Sequence, residues 1–198
     1  MNLLLKTSLD EKAKTIVDLV RGNATRMAAL IDNVMDFARG RLGGGLPLER
    51  SSAGQLEPLL RQVVAELQTS APDRVIDIRV AVTEPVDCDR GRIGQLVSNL
   101  VGNATDHGAP DQPIQVSAAT QDGWFELSVT NAGEEIPPAW LDHIFEPYTR
   151  GAQGPSRQGL GLGLYISNEI AKAHGGTLDV ISTRDRTSFA FRMPSRSV

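Results

Sequence analysis

Two asparagines four residues apart, Asn99 and Asn103, stand in the segment from Arg90 to His107, where Ile93, Leu96, Val97, Leu100 and Val101 recur at helical spacing. That spacing predicts an amphipathic helix with one face on a core. The four-residue interval places both amides on one face, one turn apart. An amide carbonyl is a neutral oxygen ligand of the kind Mg²⁺ accepts beside phosphates and waters. Two surface or hydrogen-bonded amides are the ordinary alternative. Gly159-Leu160-Gly161-Leu162-Gly163-Leu164 opens another predicted helix. Residues without Cβ let backbone N–H groups approach an anion, and a helix start adds partial positive charge, so phosphate binding is the chemistry on offer. A flexible loop would use the same glycines. The run is not a dinucleotide fingerprint, because no strand immediately precedes it, nor a Walker A loop, because it lacks the Gly-Lys-Ser/Thr ending. Thr130-Asn131-Ala132-Gly133 follows a predicted strand. There a side-chain amide can accept from the exocyclic amine of a purine, or simply close a turn. Ile144-Phe145-Glu146-Pro147-Tyr148 pairs aromatics around a proline, read alone as a packed hinge.

The elements that must position these groups are also predicted by pattern. Leu9 to about Arg41 forms one long helix, with Leu9, Ala13, Ile16, Val20, Asn23, Met27, Leu30, Val34 and Phe37 spaced as a heptad seam. Val17, Ala24, Ala28, Ile31, Met35 and Ala38 widen the stripe, which suits a helix inside a bundle. One helix cannot bury such a face, so a homodimer through it is expected; packing on its own domain is the alternative. Ser8 is the expected N-cap. Gly43-Gly44-Gly45 breaks the helix. Beyond it come a helix over Gln55 to Thr69, a strand over Val75 to Val82, the Arg90 helix, and strands around Ile114–Ala118 and Phe125–Val129 joined at Gln121-Asp122-Gly123. Pro137 to Arg157 is expected to be a mobile segment after one short helix. Leu162 to His174 forms a helix, followed by strands at Thr177–Ile181 and Thr187–Met193. The sum is a helical arm followed by a mixed α/β layer domain.

Composition sets outer bounds. The 198 residues carry a net charge of −4, which argues against a general nucleic-acid-binding surface. No apolar run approaches the ~20 residues of a membrane span. The one cysteine, Cys88, forms no internal disulfide and fits a reducing, cytoplasmic setting.

Taken in order, the four chemical stretches resemble the boxes of the nucleotide-binding domain of sensor histidine kinases, within the wider family of gyrase, Hsp90, MutL and histidine kinase ATP-binding domains. Gln95 to Ala104 is similar to the N box, Asn131-Ala132-Gly133 to the G1 box, Phe145 to Tyr148 to the F box, and Gly159 to Ile166 to the G2 box. The long helix, with Arg26-Met27, Leu30-Ile31 and Asp36-Phe37-Ala38-Arg39, resembles the second helix of the kinase dimerisation hairpin. The resemblance implies an α+β two-layer sandwich of the Bergerat type, a mixed sheet covered on one face by helices, over 46–198. A partial dimerisation hairpin over 1–45 precedes it. It implies ATP and Mg²⁺ as ligands, with Asn103 on the metal and Asn99 near it. Asn131 would meet the adenine amine, and Gly133 would admit the base. Gly159, Leu160, Gly161, Leu162 and Gly163 would lie around the phosphates, and His107 near them. A lid from Tyr148 to about Gln158 would carry Arg150 and Arg157 as phosphate contacts. A response-regulator receiver domain is the implied partner, and no membrane contact is expected from this segment.

Departures from the family pattern are specific. ATP-hydrolysing members place a general-base Glu one turn before the metal-binding Asn; here Asn99 stands there, and an amide takes no proton at neutral pH. This favours phosphoryl transfer over hydrolysis and disfavours an ATP-driven clamp. None of His107, His143 and His174 has the acceptor context, a His followed by an acidic residue and then Arg-x-Pro. The chain is therefore expected to be a fragment that starts after the acceptor, with His143 structural and His174 serving a helix end. Asn131 replaces the usual G1 Asp, Glu135 the second G1 glycine, and Asp106 a frequent Lys. A dimeric interaction module with a degenerate pocket is the competing reading.

Overall fold

In the computed structural model the described residues are 11–41, 45–149 and 160–196. The arm, α1 (Glu11–Arg41), is followed by α2 (Leu56–Ser70), β1 (Ile76–Ala81), α3 (Arg90–His107), β2 (Ile114–Gln121), β3 (Trp124–Asn131), α4 (Pro138–Leu141), α5 (Gly163–Ala173), β4 (Thr177–Ser182) and β5 (Thr187–Pro194). The strands form one sheet in the order β1-β2-β3-β5-β4. Only β1 and β2 run parallel, joined by α3 as the crossover.

The sheet buries one face because its strands alternate. Val116, Ala118, Phe125, Leu127, Val129, Phe189, Phe191 and Met193 point inward. The opposite face carries cross-strand polar pairs, Ser117 with Ser128 and Thr130 with Ser188, both at 2.8 Å. There Arg192 also lies over the Trp124 ring at 4.5 Å. Asp122 and Gly123, at φ 52° and 78°, make the two-residue turn between β2 and β3 that matches strand twist. The inner face is covered by α3, flanked by α2 and α5. Ile93, Leu96, Val97, Leu100, Val101 and Ala104 give α3 a fully apolar stripe, and Asp89 caps its start by accepting from Arg92 N at 3.1 Å. The architecture is the expected α+β two-layer sandwich. Cys88 is buried, and burial, with Asp87 and Asp89 nearby, pushes its thiol up to about 11, which leaves it inert.

The arm departs from its sequence reading at one residue. Ile16, Val20, Met27 and Val34 of the seam are exposed, as are Leu19, Ile31 and Met35 beside it. Phe37, expected in the same seam, turns instead to the layer domain. Its ring meets Tyr148 edge-on at 5.2 Å and Tyr165 at 5.7 Å. Asp36, 5% exposed, accepts from Arg92 Nη1 at 2.6 Å and Gln95 Nε2 at 3.0 Å. Heptad spacing assigned Phe37 by period alone, whereas two aromatic partners within reach decide where it packs. Ser8, Leu9, residues 43 and 44, and the side chains of Asn23 and Arg26 lie outside the described residues. No described helix is long and apolar enough to cross a membrane.

Candidate nucleotide site

The site is laid out along α3. At one end Asn99 donates through Nδ2 to Gly163 O at 3.1 Å and to Ser167 Oγ at 3.4 Å, tying α3 to the start of α5. At the other end Gly108 pairs with Gly133 in an isolated antiparallel bridge, and Ala109 N donates to Ala132 O at 2.7 Å. Asn103, half-buried, lies between these anchors, one turn from Asn99 and one from His107. With a rise of 1.5 Å per residue, the row Asn99–Asn103–His107 spans about 12 Å, the length scale of a nucleotide. Within this row Asn99 is a brace whose amide hydrogens are committed to α5, while among the described residues no partner engages the Asn103 amide. An oxygen donor between a helix start and an open strand end fits a hard divalent cation shared with ligand phosphates. Among the described residues no group of three or more His, Cys, Asp or Glu forms an alternative cluster.

Asn131 ends β3 only 5% exposed, and its Nδ2 donates to Ala132 O at 3.0 Å, while no bond to its Oδ1 is made among the described residues. A Cβ on Gly133 would lie 2.9 Å from His107 O, so only glycine lets this edge close on α3. Leu162 is buried at 1% exposure and Leu160 packs partly on the core, so both offer backbone rather than side chain to a ligand. Gly161 sits at φ +68°, its carbonyl accepting from Tyr148 N at 2.9 Å, and Tyr148 itself is held at φ +64° with its ring on Phe37. A Cβ at Gly161 would come within 3.0 Å of Thr149 O. Gly161→Ala is expected to destabilise the chain by about 2 kcal/mol, from the left-handed backbone plus this contact, seen as a lower midpoint in urea.

The expected mobile segment is partly fixed. After α4, residues 142–149 run in turns, with Phe145 packed edge-on against Phe189 at 6.3 Å. Arg150, Arg157 and Gly159 lie outside the described residues. His143 follows α4. It is exposed and paired with Glu146 at 2.9 Å, and that hydrogen bond raises its pKa. His107, Asp106 and Glu135 are exposed.

His174 caps α5 and does more than end it. Its Nδ1 bonds to Ile170 O at 2.8 Å, and its Nε2 accepts from Asp89 N at 3.1 Å, just before α3. Burial pushes its pKa below the ordinary 6.5. Burial alone would raise the Asp89 carboxyl, but hydrogen bonds from the backbone of Glu49, Arg92 and Gly91 outweigh it and hold the group below 3.8. In both cases the folded state binds the proton less readily than the unfolded one, so stability is greatest at higher pH. The His174 contribution is complete above about pH 6.5 and is lost as pH falls below it; that of Asp89 is lost on falling below about 3.8. Thermal midpoints should decline between pH 7 and 5, and His174→Gln should flatten that slope.

Sequence reasoning missed Ser167, Gly108 and Arg74. Arg74 is 8% exposed, donates to Ala109 O at 2.5 Å and Ala104 O at 3.3 Å, and leaves Nε buried without a partner. A cleft of about 520 Å³ lies between α3 and the arm. Asp32, Asp36, Arg39, Arg92, Gln95 and Asn99 are among the residues that line it.

A sheet backed by three helices, with an amide row running from a glycine-started helix to an open strand end, defines a nucleotide-binding α+β sandwich. Residues 88–197 match the family model of histidine kinase-, DNA gyrase B- and HSP90-like ATPases, and the chain belongs to that family. Within the family it carries the ATP-binding catalytic domain of the sensor histidine kinase class. It is 33% identical to a bacteriophytochrome of Pseudomonas aeruginosa over 99% of this chain and 27% of that protein. It is also 33% identical to the probable sensor histidine kinase TcrY of Mycobacterium tuberculosis, over 88% of this chain and 37% of that protein. Full-length ShkA in complex with AMPPNP superposes with a TM-score of 0.73 and 28% identity, over 99% of this chain and 42% of that one. The nucleotide-free catalytic domain of histidine kinase ThkA gives 0.61 and 26%, over 76% and 97%. The chain thus spans roughly a quarter to two-fifths of the curated relatives' length.

Proposed function

We propose that this chain binds ATP with Mg²⁺ and is the catalytic part of a sensor histidine kinase, whose γ-phosphoryl passes to a His outside this chain and then to an Asp of a response-regulator receiver domain. The observation that carries this is the Asn99–Asn103–His107 row bridging the start of α5 and the Asn131–Gly133 edge. Asn131 Oδ1 accepts from the exocyclic amine of adenine, and Gly133 admits the base. The backbone N–H groups of the α5 start face the phosphates, aided by the helix dipole. Asn103 holds the metal, which when bound neutralises charge on the phosphates. Asn99 is neutral and tied to Gly163, so no general base stands where water would be activated, which supports transfer over hydrolysis. The cleft beside Arg92 and Gln95 reaches Asn99 and offers an acceptor side chain an approach from the arm. Residues 1–45 serve as part of a dimerisation hairpin and 46–198 as the catalytic domain, with the exposed apolar face of α1 pairing with a second copy in the cytoplasm. The resemblance of ShkA, seen in complex with AMPPNP, supports the ligand class.

Calorimetric titration of ATP with and without Mg²⁺ tests this. Mg²⁺-dependent binding is expected, weakened about tenfold in Asn131→Ala, the cost of one buried hydrogen bond to the base. No binding at millimolar ATP would leave a dimeric interaction module with a degenerate pocket.

A further inference from the structure

Arg74 is a permanently charged side chain held 8% exposed, and the partners it has are carbonyl oxygens. Burying a guanidinium is costly unless something compensates it. Here the compensation comes from Ala104 O, in the last turn of α3 where the helix dipole is negative, and from Ala109 O. These acceptors flank the His107–Gly108 turn, and that turn pairs with Gly133. The placement is braced from behind. Arg74 N donates to Ala71 O at 3.0 Å, Gln68 Nε2 donates to Arg74 O, and Gln68 Oε1 accepts from Ile76 N at 3.1 Å. A Cβ on Gly108 would lie 2.7 Å from Arg74 Nη2 and 3.1 Å from Asn131 Cβ, so the guanidinium stands under 6 Å from the Asn131 side chain. One cation therefore holds both ends of the turn that pairs with Gly133, and stands under 6 Å from the residue that would read the base.

We propose that Arg74 is a positioning residue for base recognition: its guanidinium fixes the 104–109 turn against Asn131–Gly133 so that the edge discriminates adenine from guanine. This rests on the nucleotide-binding reading above. A plain helix-end brace would stabilise the fold without affecting the choice of base, so the ratio of ADP to GDP affinity separates the two roles.

The test is titration of Mg²⁺ with ADP and with GDP into wild type, Arg74→Lys and Arg74→Met. Arg74→Met is expected to weaken ADP about tenfold and GDP far less, because charged hydrogen bonds that place the edge are lost. Arg74→Lys, with one point donor in place of a fork, should keep part of the discrimination. Equal losses for both nucleotides, or unchanged ADP affinity, would overturn the proposal. In wild type the Arg74 Nε–H resonance should shift on adding ADP, and its failure to move would overturn the proposal even if the Met variant does not fold. Wild type that binds neither nucleotide removes the underlying reading, an outcome distinct from wild-type binding with an undiscriminating Arg74→Met.

Discussion

Asn103→Ala is expected to lower Mg²⁺-dependent ATP affinity on the order of 100-fold while leaving the thermal midpoint of the free chain nearly unchanged. The two halves of that expectation have separate causes. Asn103 is half-buried and engages no partner among the described residues, so truncating it leaves none of them unsatisfied. Metal affinity is another matter, since changes even to groups that only support a ligand typically cost ~10–100-fold. Titration of ATP at fixed Mg²⁺, beside a melting curve without nucleotide, reads both. Asn99→Ala should differ in the midpoint. Its amide ties α3 to Gly163 and to the fully buried Ser167, so the midpoint falls along with affinity. If the two variants cannot be told apart, the assignment of Asn103 to the metal and Asn99 to the brace is wrong.

The second large effect lies at the arm. Phe37→Ala removes both edge-on ring contacts, with Tyr148 and Tyr165, together with the apolar area they cover. Aromatic truncations of this kind cost ~3 kcal/mol, about a hundredfold in the equilibrium that holds α1 on the catalytic layer. Amide exchange should accelerate in the last turns of α1, while the β2–β3 hairpin, remote from the contact, keeps its protection. Asp36→Asn, which keeps the shape but weakens the ion pair with Arg92, should act in the same direction more weakly. Arg92 retains Gln95 and is partly solvated.

These expectations draw on parts of the chain with very different legibility. The layer domain could be read because each element has one buried face. The α3 stripe, the alternation of β2, β3 and β5, and the Asp122-Gly123 turn each follow from local periodicity. The chemical stretches could be read as residue types, and the fold does bring the neighbourhoods of Asn99, Gly163, His107 and Gly133 together. What spacing could not supply was the partner. Spacing put Asn99 beside Asn103, but it could not show that Gly163 and Ser167, more than sixty residues on, accept from its Nδ2. Phe37 fits a seam by period, yet period is silent on which neighbour claims a side chain at the seam's edge. Arg74, in a polar turn before β1, belongs to no pattern that marks it, and the end of α3, folded over it, is what buries it.

The hydrogen bond from Tyr148 N to Gly161 O ties the end of the turns after α4 to the approach of α5. The same turns are anchored again by Phe145 on Phe189 and by Ile136 N on Ser182 Oγ. The register of β3 with β5, from Trp124 against Pro194 to Asn131 against Thr187, is set by strand pairing alone. Breaking the Tyr148–Gly161 bond would therefore loosen the link between residues 148–149 and the start of α5 while the sheet keeps its register.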